Sequence, residues 1–189
     1  MSGTTRLLSG LAVLVACGAA RITDGIARSE PLPEPLSSSA TRGEERRDLA
    51  ALRRATAPFL QIEQAKAAGW STEITGCMEG PGGGMGYHYA NARLVDGNVR
   101  AGEPEVLLYK PESGSRTPSL VGVEYIVPVA AWHESTPPRL FGHDFVVDKA
   151  FQVWALHVWA WETNPHGMYT DWNPRVNCDA DPELSLLHE

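Results

Sequence analysis

The rhythm of apolar and polar positions changes at Gly69. Before it the spacing is helical. Leu49 and Leu52 make a modest apolar stripe in a segment that starts at Thr41. Thr41 followed by Glu44 has the spacing of a capping box. Glu44 and Glu45 suit a first turn, and Arg53 and Arg54 suit a later one. Pro58 ends or kinks this helix, or begins the next. A second helix is predicted over 59–68, with Leu60 and Ile62 as its larger apolar residues and Gly69 as its stop. After Gly69, Gly and Pro punctuate short runs of Val, Leu, Tyr and Trp. Strands are predicted over 87–94, 105–110, 120–127 and 152–161, with a shorter one over 145–147. Asp96-Gly97 and Ser113-Gly114 are turn signals. Helices followed by a run of strands predict an α+β fold, with N-terminal helices packed on an antiparallel β-sheet in a single domain over 41–180.

Alternation within the two longer strands singles out residues. Over 120–127, Val121, Val123, Tyr125 and Val127 share one face, and Leu120, Gly122, Glu124 and Ile126 share the other. Glu124 is then a lone carboxylate on an otherwise apolar face. Over 151–161, Val153, Ala155, His157, Trp159 and Trp161 share one face, and Trp154, Leu156, Val158 and Ala160 the other. Both faces are apolar, as in a central strand covered on both sides, and His157 sits among aromatic residues.

Composition changes the picture at the N-terminus. The chain has 189 residues and a formal net charge of −7, which argues against a nucleic-acid partner. Arg6 precedes an apolar stretch over 7–16 that suits an export signal and is too short to span a membrane. The stretch ends Leu14-Val15-Ala16-Cys17, which resembles a bacterial lipobox. Residues 1–16 then form a signal peptide, and lipidation of Cys17 anchors the protein to a membrane as a periplasmic or outer-membrane lipoprotein. The other reading is an ordinary secretory signal, cleaved for example after Ala20, and a soluble secreted product. Pro31, Pro33 and Pro35 followed by Ser37-Ser38-Ser39 read as a solvated tether, so 17–40 is assigned as a flexible linker and 181–189 as a tail. With Cys17 set aside, Cys77 and Cys178 remain. Export favours a disulfide between them over metal ligation or a free catalytic thiol, because no CxxC is present.

Motifs that could carry chemistry are sparse. The run Gly80-Pro81-Gly82-Gly83-Gly84-Met85-Gly86 lacks the Lys of a phosphate loop and precedes no long helix. It reads as a flexible or tight loop where backbone approaches backbone or ligand. No G-x-S-x-G elbow marks a hydrolase nucleophile. Six histidines include no H-x-H, H-x3-H or H-E-x-x-H pair, so a metal site has to be assembled from separate strands. His88, Glu124 and His157 are the candidate set, and two His with one carboxylate suit zinc or a non-haem iron. The competing reading buries both histidines and hydrogen-bonds them, with Glu124 as one partner. Trp154, Trp159, Trp161, Tyr169 and Trp172 crowd the C-terminal part, either as a ligand platform or as core. The segment over 164–174 holds two Asn-Pro dipeptides and reads as an ordered loop that lines a pocket or covers the domain. Tyr89, Trp159, Asn164 and Trp172 are the candidate pocket residues.

Taken together, Met85-Gly86-Tyr87-His88-Tyr89, Pro104-Glu105-Val106-Leu107-Leu108-Tyr109, Val123-Glu124-Tyr125, Leu156-His157-Val158-Trp159, Asn164-Pro165-His166-Gly167 and Trp172-Asn173-Pro174 before Cys178 resemble a group of small exported bacterial proteins of unknown function. The resemblance implies an extracytoplasmic location and a single domain, and it carries no catalytic role. The expectation is an extracytoplasmic domain binding a small ligand or a metal ion at His88, Glu124 and His157. A metal-dependent enzyme at the same residues and a purely structural envelope protein are the alternatives.

Overall fold

The computed structural model describes residues 36–181, with side chains from Thr41 onwards. The predicted signal peptide over 1–16, the lipidation candidate Cys17, most of the linker over 17–40 and all but the first residue of the tail lie outside the described residues.

The chain enters through one long helix, α1 (Leu36–Thr56). It starts within the segment read as linker, so Thr41 and Glu44 lie inside it rather than at its cap. A 3-10 turn (Ala57–Leu60) accommodates Pro58 near its start, and a short helix, α2 (Ile62–Ala68), follows. Gly69 stops α2 as expected, in the left-handed region at φ 118°.

The expectation of helices packed on a sheet is overturned. The body of the protein is β: a six-stranded antiparallel sheet that curls into a half-barrel. Its strands are β1 (Thr72–Gly80), β2 (Gly83–Ala90), β3 (Val106–Lys110), β4 (Ser119–Pro128), β7 (Val146–Asp148) and β8 (Val153–Val158), in the order β1-β2-β3-β4-β8-β7. A two-stranded hairpin, β5 (Arg139–Leu140) and β6 (His143–Asp144), stands apart. The reason lies in what each element can bury. Among its described side chains the polar helix α1 fully buries one apolar residue, Leu52, together with Thr56, whereas Val106, Leu107, Leu108 and Tyr109 of β3 are all fully buried. Hydrophobic burial scales with that area, so the sheet dominates the core.

The two faces of the sheet have separate apolar clusters. On one face Leu107, Tyr109, Val123, Tyr125, Val127, Leu156 and Val158 join Leu52, Ile62 and Ala65 of the helices. On the other, Ala90, Val106, Leu108, Val121, Trp159 and Val176 form a smaller cluster. A bulge in the β3–β4 pairing, between Leu108 and Tyr109, alters the predicted alternation. Leu120 joins the first cluster and Val121 the second, the reverse of strict period two. Strand β8 ends at Val158, so Trp161 packs on the first face and not beside His157.

Glu105, just before β3, is a buried carboxylate whose Oε2 accepts from Ile126 N at 3.1 Å. Burial is the largest influence on it and pushes its pKa up to about 8, against hydrogen bonds that act in the other direction. The folded state therefore holds this proton more tightly than the unfolded chain. The stabilising contribution is complete below the ordinary value of 4.5 and is lost as the pH rises through 8. Glu105→Gln keeps an acceptor and removes the charge. Its melting temperature relative to the parent is expected to rise between pH 5 and pH 8.5, read by circular dichroism at both ends. A gap that does not change with pH would remove Glu105 as the cause.

Candidate metal centre

The sheet brings the three sequence candidates together on the face of the smaller cluster. Glu124 of β4 lies directly opposite His157 of β8 in the antiparallel register, and Val106 of β3 pairs Glu124 from the other side. One row further along, His88 of β2 pairs Leu108, which pairs Gly122. All three side chains point to one face because period two fixes it. One ligand atom from each of His88, Glu124 and His157 lies within 4.8 Å of the others.

His88 Nε2 is 3.9 Å from Glu124 Oε2, and His157 Nε2 is 3.7 Å from Glu124 Oε1. Both gaps are too long for hydrogen bonds. They come close to the separation of about 3.4 Å between two donors each about 2.05 Å from one tetrahedral metal. The other ring nitrogens face orienting groups. Thr75 Oγ1 is 2.8 Å from His88 Nδ1, and Asp171 Oδ1 is 3.3 Å from His157 Nδ1. That is the usual construction of a metal-binding histidine, with one nitrogen turned to the ligand position and the other held from behind.

His157 is the anomaly. The residue is 5% exposed, and neither of its ring nitrogens has an aligned hydrogen-bond partner. Buried polar groups are normally satisfied, so one left open at the convergence of two other ligand types marks a place for something else.

The electrostatics agree with a cation. Burial, reinforced by neighbouring His157, holds His88 down at about 3 against a backbone hydrogen bond at Gly86, which leaves it neutral and able to donate a lone pair. Burial also pulls His157 down, but Glu124, Asp171 and Asp148 outweigh it and raise its pKa. Burial raises Glu124, with His157 acting in the opposite direction. The contact with His157 lowers Asp171. Three carboxylates thus call for positive charge at one point, whether as a proton on His157 or as a metal ion beside it.

The triad opens into a cavity of about 580 Å³. Of the four candidate pocket residues, Trp172 lines it. Tyr89 lies on the opposite face, where its hydroxyl donates to Glu73 Oε2 at 2.8 Å. Trp159 is buried in the smaller cluster, and its Nε1 donates to Thr170 O at 2.6 Å. Asn164 is a brace for the loop: its Nδ2 donates to Thr170 Oγ1 at 2.8 Å and to Trp172 O at 2.9 Å. The loop so held carries Asp171 and Trp172 to the cavity.

The glycine-rich run is what lets that loop come close. It forms the β1–β2 turn and the start of β2. Gly83 has φ 112°, and a Cβ there would meet Asn173 O at 2.2 Å. A Cβ on Gly82 would meet the Trp172 side chain at 2.9 Å. Gly84 and Asn173 exchange a pair of backbone hydrogen bonds of 3.1 Å. Cys77 and Cys178 form a disulfide that closes the same corner.

Thr75 and Asp171 are the site residues that the sequence did not single out. Thr75 lies on β1, a strand without an apolar alternation, and Asp171 lies in the loop read as a pocket wall or cover. Comparison with protein-family models, with curated proteins and with solved structures finds no match to this chain.

Proposed function

We propose that the domain binds one divalent transition-metal ion, zinc or iron, through His88, Glu124 and His157, and acts outside the cytoplasm. The observation that carries the reading is the open, buried His157 ring facing Glu124 with His88 beside it. The Cys77–Cys178 disulfide supports the location, because such bonds persist in oxidising compartments. Lipidation at Cys17 belongs to the same proposal and rests on the sequence alone.

A structural zinc site has four protein ligands, whereas three ligands below an open cavity leave an exchangeable position. That feature favours a second reading, catalysis by metal-bound water at this site. The first test is metal content of residues 18–189, produced in an oxidising compartment without a His-tag or chelator. About one equivalent of a transition metal by mass spectrometry is the expected result. No metal after incubation with Zn²⁺, Cu²⁺ and Fe²⁺ would overturn the proposal. Ester hydrolysis abolished by EDTA would raise the second reading above simple binding.

A further inference from the structure

The cavity above the triad is unlike the rest of the surface. Ile74, Val146 and Phe151 are 41%, 73% and 56% exposed, and all three stand on its walls. Met78, Ile126 and Val153 continue the apolar lining inward. Polar side chains gather at one end, where His88, Glu124, His157 and Asp171 meet, while Asp148 and Lys149 also border the space. A volume of about 580 Å³ is that of a pocket for a small organic molecule. Exposed apolar side chains are common singly, but three around one opening form a continuous path to a buried polar end.

We propose that the cavity takes a small apolar molecule with one oxygen-donor head. The head completes the coordination of the metal, and the tail lies along Ile74, Val146 and Phe151. The inference rests on the metal reading and specifies what the open position is for. The lining is consistent: away from the polar end, Ile74, Met78, Ile126, Val146 and Phe151 offer no side-chain hydrogen bonds to a second polar group. A highly hydroxylated ligand such as a sugar would leave its hydroxyls unpaired against Ile74, Met78 and Ile126.

Alkyl hydroxamates are the probe, because the head chelates zinc and the tail length can be varied. Zinc-loaded protein is titrated calorimetrically with acetohydroxamate, hexanohydroxamate and octanohydroxamate. Each methylene buried is worth up to about fourfold, and partial burial in an open cavity predicts on the order of a hundredfold from the shortest to the longest probe. The double variant Ile74→Ser/Phe151→Ser replaces exposed residues and leaves the core untouched. It is expected to bind acetohydroxamate like the parent and to lose at least tenfold of the chain-length gain. Equal binding of all three probes to the parent would overturn the inference, as would an undiminished gain in the double variant. Zinc stoichiometry is measured on the same samples. Zinc bound without a chain-length effect removes the apolar ligand and leaves the metal reading standing. Absence of zinc removes the metal reading itself.

Discussion

Alanine at His88 or at His157 is expected to reduce zinc affinity by more than a hundredfold, while Asp171→Asn and Thr75→Val reduce it by roughly 10- to 100-fold. The grading follows from position. His88 and His157 each present a ring nitrogen to Glu124, at 3.9 and 3.7 Å, so either alanine removes one of three donors. Asp171 and Thr75 touch only the far nitrogens and act by fixing ring orientation. Competition titrations with a chromophoric chelator read the four affinities, and thermal melts of the metal-free proteins show whether each variant folds. Metal-free His157→Ala is expected to fold and to melt modestly below the parent: the ring has no aligned hydrogen bond to lose, but its removal leaves a space beside Glu124 and takes away a group that offsets that carboxylate. A large stability loss with unchanged zinc binding would make His157 a core histidine and end the metal reading.

The triad was legible because it breaks a pattern. A carboxylate in an apolar run and a histidine on an apolar face are conspicuous, and period two predicts the face on which each lies. The cross-strand pairing of Glu124 with His157 then needs only that β4 and β8 be neighbours. The orienting groups break no pattern. Thr75 is one of four polar residues in the nine-residue strand β1, whose Gly76 and Gly80 and half-exposed side chains hide it from any alternation argument. Strand β1 exists because β2 offers it a backbone edge. Its own side chains do little to specify it, and its irregular register with β2 shows as much.

Similar physics explains the other departures. The start of β2 reads as loop because Gly80, Gly82, Gly83 and Gly84 suppress strand propensity. The loop over 164–178 needs that absence of side chains, so the requirement comes from a segment about 90 residues away. The β-bulge that exchanges the faces of Leu120 and Val121 inserts one residue into an otherwise regular apolar run. Leu120, Val121 and Gly122 carry no polar side chain, so no polar mark reveals which one is extra. The N-terminal helix begins before Thr41 and carries less of the core than its pattern suggests. Leu49 and Leu52 suffice to predict a helix, but two leucines cannot make helices the partner layer of a six-stranded sheet.

Removal of the disulfide, as Cys77→Ser/Cys178→Ser, is expected to lower stability by about 4–5 kcal/mol, because the bond closes a loop of 101 residues. In a domain of this size that is a fall of roughly 10 °C or more in melting temperature. The effect should also reach the metal site, although no ligand is changed. The bond ties β1, the edge strand that carries Thr75, to the end of the loop that carries Asp171. Beside it Cys178 N donates to Glu79 Oε2 at 2.8 Å, a second link between the same two segments. Asn164 holds the loop at its base, and Asn173 holds it to Gly84 of β2. Without the covalent link those hydrogen bonds alone must hold both orienting groups, and β1 pairs with β2 only through an irregular register. Zinc affinity of the double serine variant, measured well below its melting temperature, is therefore expected to fall by an amount comparable to Asp171→Asn. A lower melting temperature with unchanged zinc affinity would show that Glu79, Asn164 and Asn173 hold the loop by themselves, and would confine the disulfide to stability.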